Sequence, residues 1–218
     1  MRMIFLLLFG GWGTLFSTAL PAPPVDTLIS LPFIGSWLLD QDGGQAHWLG
    51  AKFQNKRLLE PINVVVVDAF SGSAEEAVNK LLGQTASGGF GERGGHSSGY
   101  WATIGSDLFP QISSRDDTAI SDGQAFKDNN HGRIFGPWLE GSKYVFTAAF
   151  SRESFHLFPL AHHAFVSFNQ ARDDFALRLS AGASYRIAGY VPLGNVQNDA
   201  QQTTADHDGR LVVLEALR

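Results

Sequence analysis

The chain has no cysteine. That excludes disulfides, thiol chemistry, cysteine-ligated zinc, iron–sulfur clusters and a lipoprotein anchor. A fold of this sequence therefore holds together by core burial alone. An excess of basic charge is missing too: 16 Lys and Arg stand against 21 Asp and Glu, a formal net charge of −5. This balance argues against nucleic acid as the main partner, since no basic patch can displace counterions. Anionic lipid gains no electrostatic hold either. No stretch reaches the roughly 20 solidly apolar residues of a membrane span. Internal repeats, low-complexity blocks and a second linker are also lacking.

What is present starts with an export pattern. Met1-Arg2-Met3 carries one positive charge, Ile4 to Phe9 is an unbroken apolar run, and Gly10 to Phe16 continues it without charge. Ser17 and Ala19 then stand three and one residues before a cleavage point. Residues 1–19 thus read as a secretory signal, with no membrane span after cleavage. An uncleaved N-terminal anchor is the alternative. The expected location is exported, either periplasmic or secreted. Residues 20–35 are a proline-rich leader. Residues 36–218 form a single domain, and the mature chain of about 200 residues is enough for a sizeable core.

Pro61 to Val67 is continuously apolar and β-branched apart from Asn63, as for a strand buried on both faces. Ser73 and Glu76 have capping-box spacing, and Ala74, Ala77, Val78, Leu81 and Leu82 share a helical face in a helix that Gly83 can end. Residues 85–99 read as a Gly/Ser-rich loop, Gly99 to Ile104 as a short strand, and 105–130 as largely irregular. Arg133–Leu139 and Lys143–Phe150 read as strands around a turn at Glu140-Gly141-Ser142. Ala164–Phe168, Tyr185–Val191 and Arg210–Leu214 are further strands. Asn169 is the expected cap of a helix from Gln170 to about Leu179. The expected fold is α+β: a single mixed or antiparallel sheet of six or seven strands, with two main helices packed on one side.

The block Pro61-Ile-Asn-Val-Val-Val-Val-Asp68 is followed by an Ala/Glu/Leu-rich helix and Gly89-Phe90. Later come Asn130-His131-Gly132-Arg133-Ile134-Phe135, a Ser151-Arg-Glu153 strand end, and Ala161-His-His-Ala164 leading into Asn169-Gln-Ala-Arg-Asp173. Over roughly residues 60–180 this order resembles the LssY C-terminal-like domain family. Asn169 stands where that family carries an acid, the glycine-rich stretches are insertions, and no membrane module accompanies the domain. The resemblance implies a cell-envelope setting and no particular chemistry.

Four polar constellations stand out. His131 and Arg133, two apart on a strand, share a face. They are candidate catalytic residues, with His131 as acid or base and Arg133 as anion clamp; a structural hydrogen-bond cluster is the bland alternative. Arg93-Gly-Gly-His96-Ser-Ser-Gly99 offers amide, Ser and His donors to an anion, or is a plain surface loop. Arg93, His96, Asn130 and Arg133 are the candidate ligand-binding set. Asp206-His207-Asp208-Gly209 has metal-ligating residue types but also reads as a turn, and His96, Asp206 and His207 are the candidate metal ligands. If the fold converges, His96, His131 and His207 line one pocket. In His162-His163, strand alternation turns one ring inward and one outward.

Two functional readings follow. The first is a non-catalytic envelope module that binds a polar or anionic small molecule or an envelope protein. The second is a hydrolase, with a divalent metal as its one conceivable cofactor, acting on a phosphorylated or esterified envelope compound.

Overall fold

In a computed structural model, residues 30–113, 117–124 and 126–218 are described. The expected signal peptide and residues 20–29 of the leader lie outside them. A first hairpin pairs β1 (His47–Phe53) with β2 (Lys56–Leu59). β3 (Val64–Asp68) leads into α1 (Ala74–Ser87) and β4 (Gly91–Gly94). A second hairpin, β5 (Trp101–Ile104) and β6 (Asp107–Pro110), precedes β7 (Thr118–Ser121). Two long strands follow, β8 (Asn129–Glu140) and β9 (Lys143–His156), then β10 (His162–Ser167) and α2 (Phe168–Ala181). β11 (Tyr185–Pro192), β12 (Gln202–Thr203) and β13 (Arg210–Ala216) complete the chain.

The apolar run before Asp68 becomes the centre of the sheet. β3 lies between β13, parallel to it, and β9, antiparallel to it. Alternation sends Val64 and Val66 to one face, where they meet Leu81 of α1, Phe175 of α2, Phe146 and Leu214. Val65 and Val67 point the other way, into a second core with Ile34, Leu38, Ile104, Phe135, Val145 and Val213. Helices cover the first face. The β5–β6 hairpin and the segment from Ile34 to Ala46 cover the second. The end of the leader is thus part of the core: Ile34 is buried and bridges to Ile104. On the helical side Phe150 stacks on Phe175 at 4.1 Å, and Phe90 sets its edge against both rings.

The α+β class and the two helices on one side are as expected, but the sheet is larger. Eight strands run in the order β11-β13-β3-β9-β8-β7-β4, with β10 added beside β9. Separate three-stranded (β1-β2-β12) and two-stranded (β5-β6) sheets accompany it. The strands that sequence patterning missed are short. β4 lies inside the glycine-rich stretch read as a loop, and β7 inside the stretch read as irregular.

β9 is long enough to take two partners along one side. β3 pairs with its residues 144–148 and β10 with residues 152–156. The gap between them falls at Phe150, and Asn63, just before β3, fills it. Its Nδ2 donates to Phe150 O at 2.8 Å, and its Oδ1 accepts from Phe150 N at 3.0 Å. The amide side chain acts as one missing unit of ladder.

Candidate metal centre

Residues 129, 131 and 133 of β8 lie on one face of the sheet, as do residues 149, 151 and 153 of β9, opposite α1 and α2. The register pairs His131 with Ser151 and Asn129 with Glu153, and β10 sets Phe165 beside Glu153 on the other side. Three neighbouring strands therefore bring His131, Glu153 and His163 to one patch by period-two alternation. His96 reaches the patch from the loop after β4. Its amide donates to Asp117 O at 3.0 Å, and its ring lies 5.0 Å from that of His131.

His96, His131 and Glu153 each offer a ligand atom, and these atoms lie within 4.8 Å of one another. They are 8, 2 and 2% exposed. The Glu153 carboxylate stands between two imidazoles: Oε2 is 3.6 Å from His131 Nδ1, and Oε1 is 2.9 Å from His163 Nδ1. The His131 approach is too long for a hydrogen bond; the His163 approach is at hydrogen-bond distance but poorly aligned for one. His131 Nδ1, His163 Nδ1 and His96 Nε2 are all buried without a hydrogen-bond partner. Elsewhere the rings are well supported. His131 Nε2 meets Ser151 Oγ at 3.3 Å, and Ser151 in turn accepts from the indole of buried Trp48 at 3.0 Å. Asn129 Nδ2 donates to Glu153 Oε1 at 2.8 Å.

Arg133 sits beside this cluster and is only 3% exposed. Its nitrogens donate to the carbonyl and hydroxyl of Ser97 at 3.0 and 3.1 Å and approach Glu60 at 3.5 Å, and its guanidinium stacks on Tyr100 at 4.3 Å. It pins the loop that delivers His96. Burial first, and then the Arg133 charge, lower the pKa of His96 to about 4 and hold that of His131 well below the ordinary value. Both rings are therefore neutral at pH 7, the form that ligates metal. Burial raises the pKa of Glu153, opposed by the Asn129 hydrogen bond, the charges of His163 and Arg133 and the polar contact of His163. Burial also raises that of Glu60, opposed by Arg133. When both carboxylates are ionised, two buried negative charges face one buried guanidinium, and a divalent cation would offset the difference.

The other sequence candidates lie apart from this patch. His96 does not join Asp206 and His207, and His207 does not line a pocket with His96 and His131. Asp206 caps α2, accepting from Phe168 N at 2.9 Å and from the Ser167 hydroxyl. His207 Nε2 pairs with Asn195 Oδ1 at 2.8 Å and packs edge-on against Phe168. The side chains of Ser151, Trp48, Phe165 and Phe168 stand in sequence between His131 and His207. Nor is the expected ligand-binding set gathered. Asn130, one residue out of phase with His131, turns to the helical face and donates to Asp122 at 2.9 Å and Asp174 at 3.2 Å. Arg93 is exposed on β4, at the sheet edge. Arg133 has its donors committed inside the protein, so an external anion finds no free fork there. His162 points outward and stacks on His156 at 5.2 Å.

Glu153 was not among the sequence candidates, although it stands two residues after Ser151 at the expected strand end, and strand alternation left open which of His162 and His163 turns inward. Nothing in the sequence said that their strands are neighbours. Among the described residues no helix is long and apolar enough to cross a membrane. Compared with family models, curated proteins and solved structures, the chain matches none.

Proposed function

We propose that this protein is an exported envelope domain that binds a divalent transition metal through His96, His131 and Glu153. One observation carries the reading. Two buried imidazoles, each with one unpartnered nitrogen, and a buried carboxylate offer ligand atoms within 4.8 Å of one another. A buried polar atom without a partner costs about 1–3 kcal/mol, so such a group is costly unless something binds there. Two nitrogens and a carboxylate oxygen, without thiolate, suit zinc or a neighbouring first-row ion. They do not suit calcium or magnesium, which take oxygen ligands. The export pattern and the resemblance to LssY C-terminal-like domains support the envelope setting. Because Arg133 holds internal partners, anion recognition by it is disfavoured in both functional readings, and the proposal rests on the three-residue cluster.

The test uses the full chain without an affinity histidine tag. Elemental analysis is expected to find zinc, or an ion of its class, near one per chain. After chelation, added Zn2+ at 100 times its Kd is expected to stabilise the fold by about 2.7 kcal/mol. Mg2+ has no such effect, and Glu153→Gln or His131→Ala removes the response to zinc. A purified protein without metal, whose unfolding ignores added zinc, would overturn the proposal.

A further inference from the structure

Three protein ligands leave a choice. An open fourth position belongs to a catalytic zinc that holds water, and a filled one to a structural zinc. Two histidines and a carboxylate with several open positions are also the donor set of non-haem iron sites. His163 decides between these outcomes. Its Nδ1 is buried and unpartnered, yet stands 2.9 Å from Glu153 Oε1. Around a tetrahedral zinc with bonds of about 2.0–2.1 Å, neighbouring ligand atoms are about 3.3 Å apart. The two imidazole nitrogens that flank Glu153, at 2.9 and 3.6 Å, straddle that spacing. A carboxylate and an imidazole this close but poorly aligned for a hydrogen bond suit co-ligands of one ion.

Exposure separates the members of the group. The side chain of His163 is 25% exposed, against 3% for His131 and 2% for Glu153. His163 lies on β10, next to the turn that carries exposed Leu157, Phe158 and Leu160. It is not one of the three residues already within 4.8 Å, so its ring must move to join them.

Building on the metal-binding reading, we infer that His163 Nδ1 is the fourth ligand and closes the site as His3Glu. The ion is then held as a structural crosslink between β8, β9, β10 and the loop of His96. No position remains for a substrate or a reactive water.

Cobalt substitution of the full, untagged chain tests this. The wild-type protein loaded with Co2+ is expected to show the intense visible bands of four-coordinate cobalt, unchanged by azide. His163→Ala, at a partly exposed position, is expected to fold and to keep the ion on the other three ligands. Its affinity should fall by more than the roughly 10- to 100-fold that loss of an orienting neighbour causes. Its spectrum should become sensitive to azide, which enters the vacated position. A weak six-coordinate spectrum, an azide response in the wild type, or an unchanged His163→Ala variant would overturn the fourth-ligand role and leave the three-residue site standing. Failure of both proteins to bind cobalt or zinc would overturn the site itself.

Discussion

His207 is buried away from the proposed metal site and isolates what burial does to an imidazole. It is 4% exposed, donates its Nε2 proton to Asn195 Oδ1 at 2.8 Å, and leaves Nδ1 without a partner. A second proton would place a charge on Nδ1 where no acceptor waits. Burial, against the opposing pull of Asp208, lowers its pKa to about 4, compared with 6.5 for an unperturbed ring. Between these values the unfolded chain binds a proton that the folded chain refuses. Stability from this group is therefore present above about pH 6.5 and is lost as the pH falls toward 4. At pH 5 the unfolded ring is about 1.5 units below its pKa. At about 1.36 kcal/mol per unit, the loss between pH 7 and pH 5 is about 2 kcal/mol. Gln in place of His207 keeps a donor toward Asn195 and cannot titrate. Urea unfolding at the two pH values should show the wild type losing about 2 kcal/mol more than His207→Gln, while the contributions of His96 and His131 cancel between the proteins. Equal losses, within about 0.5 kcal/mol, would refute a depressed pKa at His207.

Two further perturbations probe the scaffold. Arg133→Met leaves buried Glu60 without its guanidinium and should cost about 3 kcal/mol in denaturant unfolding, with much of it recovered when Glu60→Gln is added. A cost below about 1 kcal/mol would show that Arg133 is free for another partner. Asn63→Ala strips both hydrogen bonds from the Phe150 backbone and should cost about 3 kcal/mol. The Phe150 amide should then exchange with solvent ahead of its neighbours; unchanged protection would mean that water or a shifted strand replaces the side chain.

Local chemistry was readable where it is self-contained. Ser73 does cap α1, accepting from Glu76 N at 3.1 Å, while Glu76 reaches back to Gly72 N at 2.8 Å. The helix nevertheless runs past Gly83 to Ser87, because Gly83 faces open space while Leu81 and Thr85 on either side are buried. α2 begins two residues earlier than Asn169 suggested: Ser167 is its cap, with Asp206 from a distant loop behind it. The turn at Glu140-Gly141-Ser142 and the same-face placement of His131 and Arg133 follow from period and turn chemistry alone. The partnership of His131 with Glu153 follows from a register across twenty residues, and that with His96 from a loop pinned by Arg133. Propensity carries neither, since both depend on which strands become neighbours. Asp206-His207-Asp208 misled for the same reason. Its residue types suit a metal, but its surroundings turn them into a helix cap, a core hydrogen bond and a partner for Arg172 at 2.7 Å.

The two partners of β9 on one side also set an order in time. β8, β9 and β10 are consecutive and antiparallel, so each pairing closes only a short stretch of chain. The parallel pairing of Val64 with Val212 closes nearly the whole domain, and the loop entropy it must overcome is correspondingly larger. The meander that carries His131, Glu153 and His163 is thus the piece able to form first. The sheet is completed when Asn63 docks against Phe150 and draws both ends of the chain together. A domain without disulfides would in this way have the face that carries His131, Glu153 and His163 prepared before its central strand arrives.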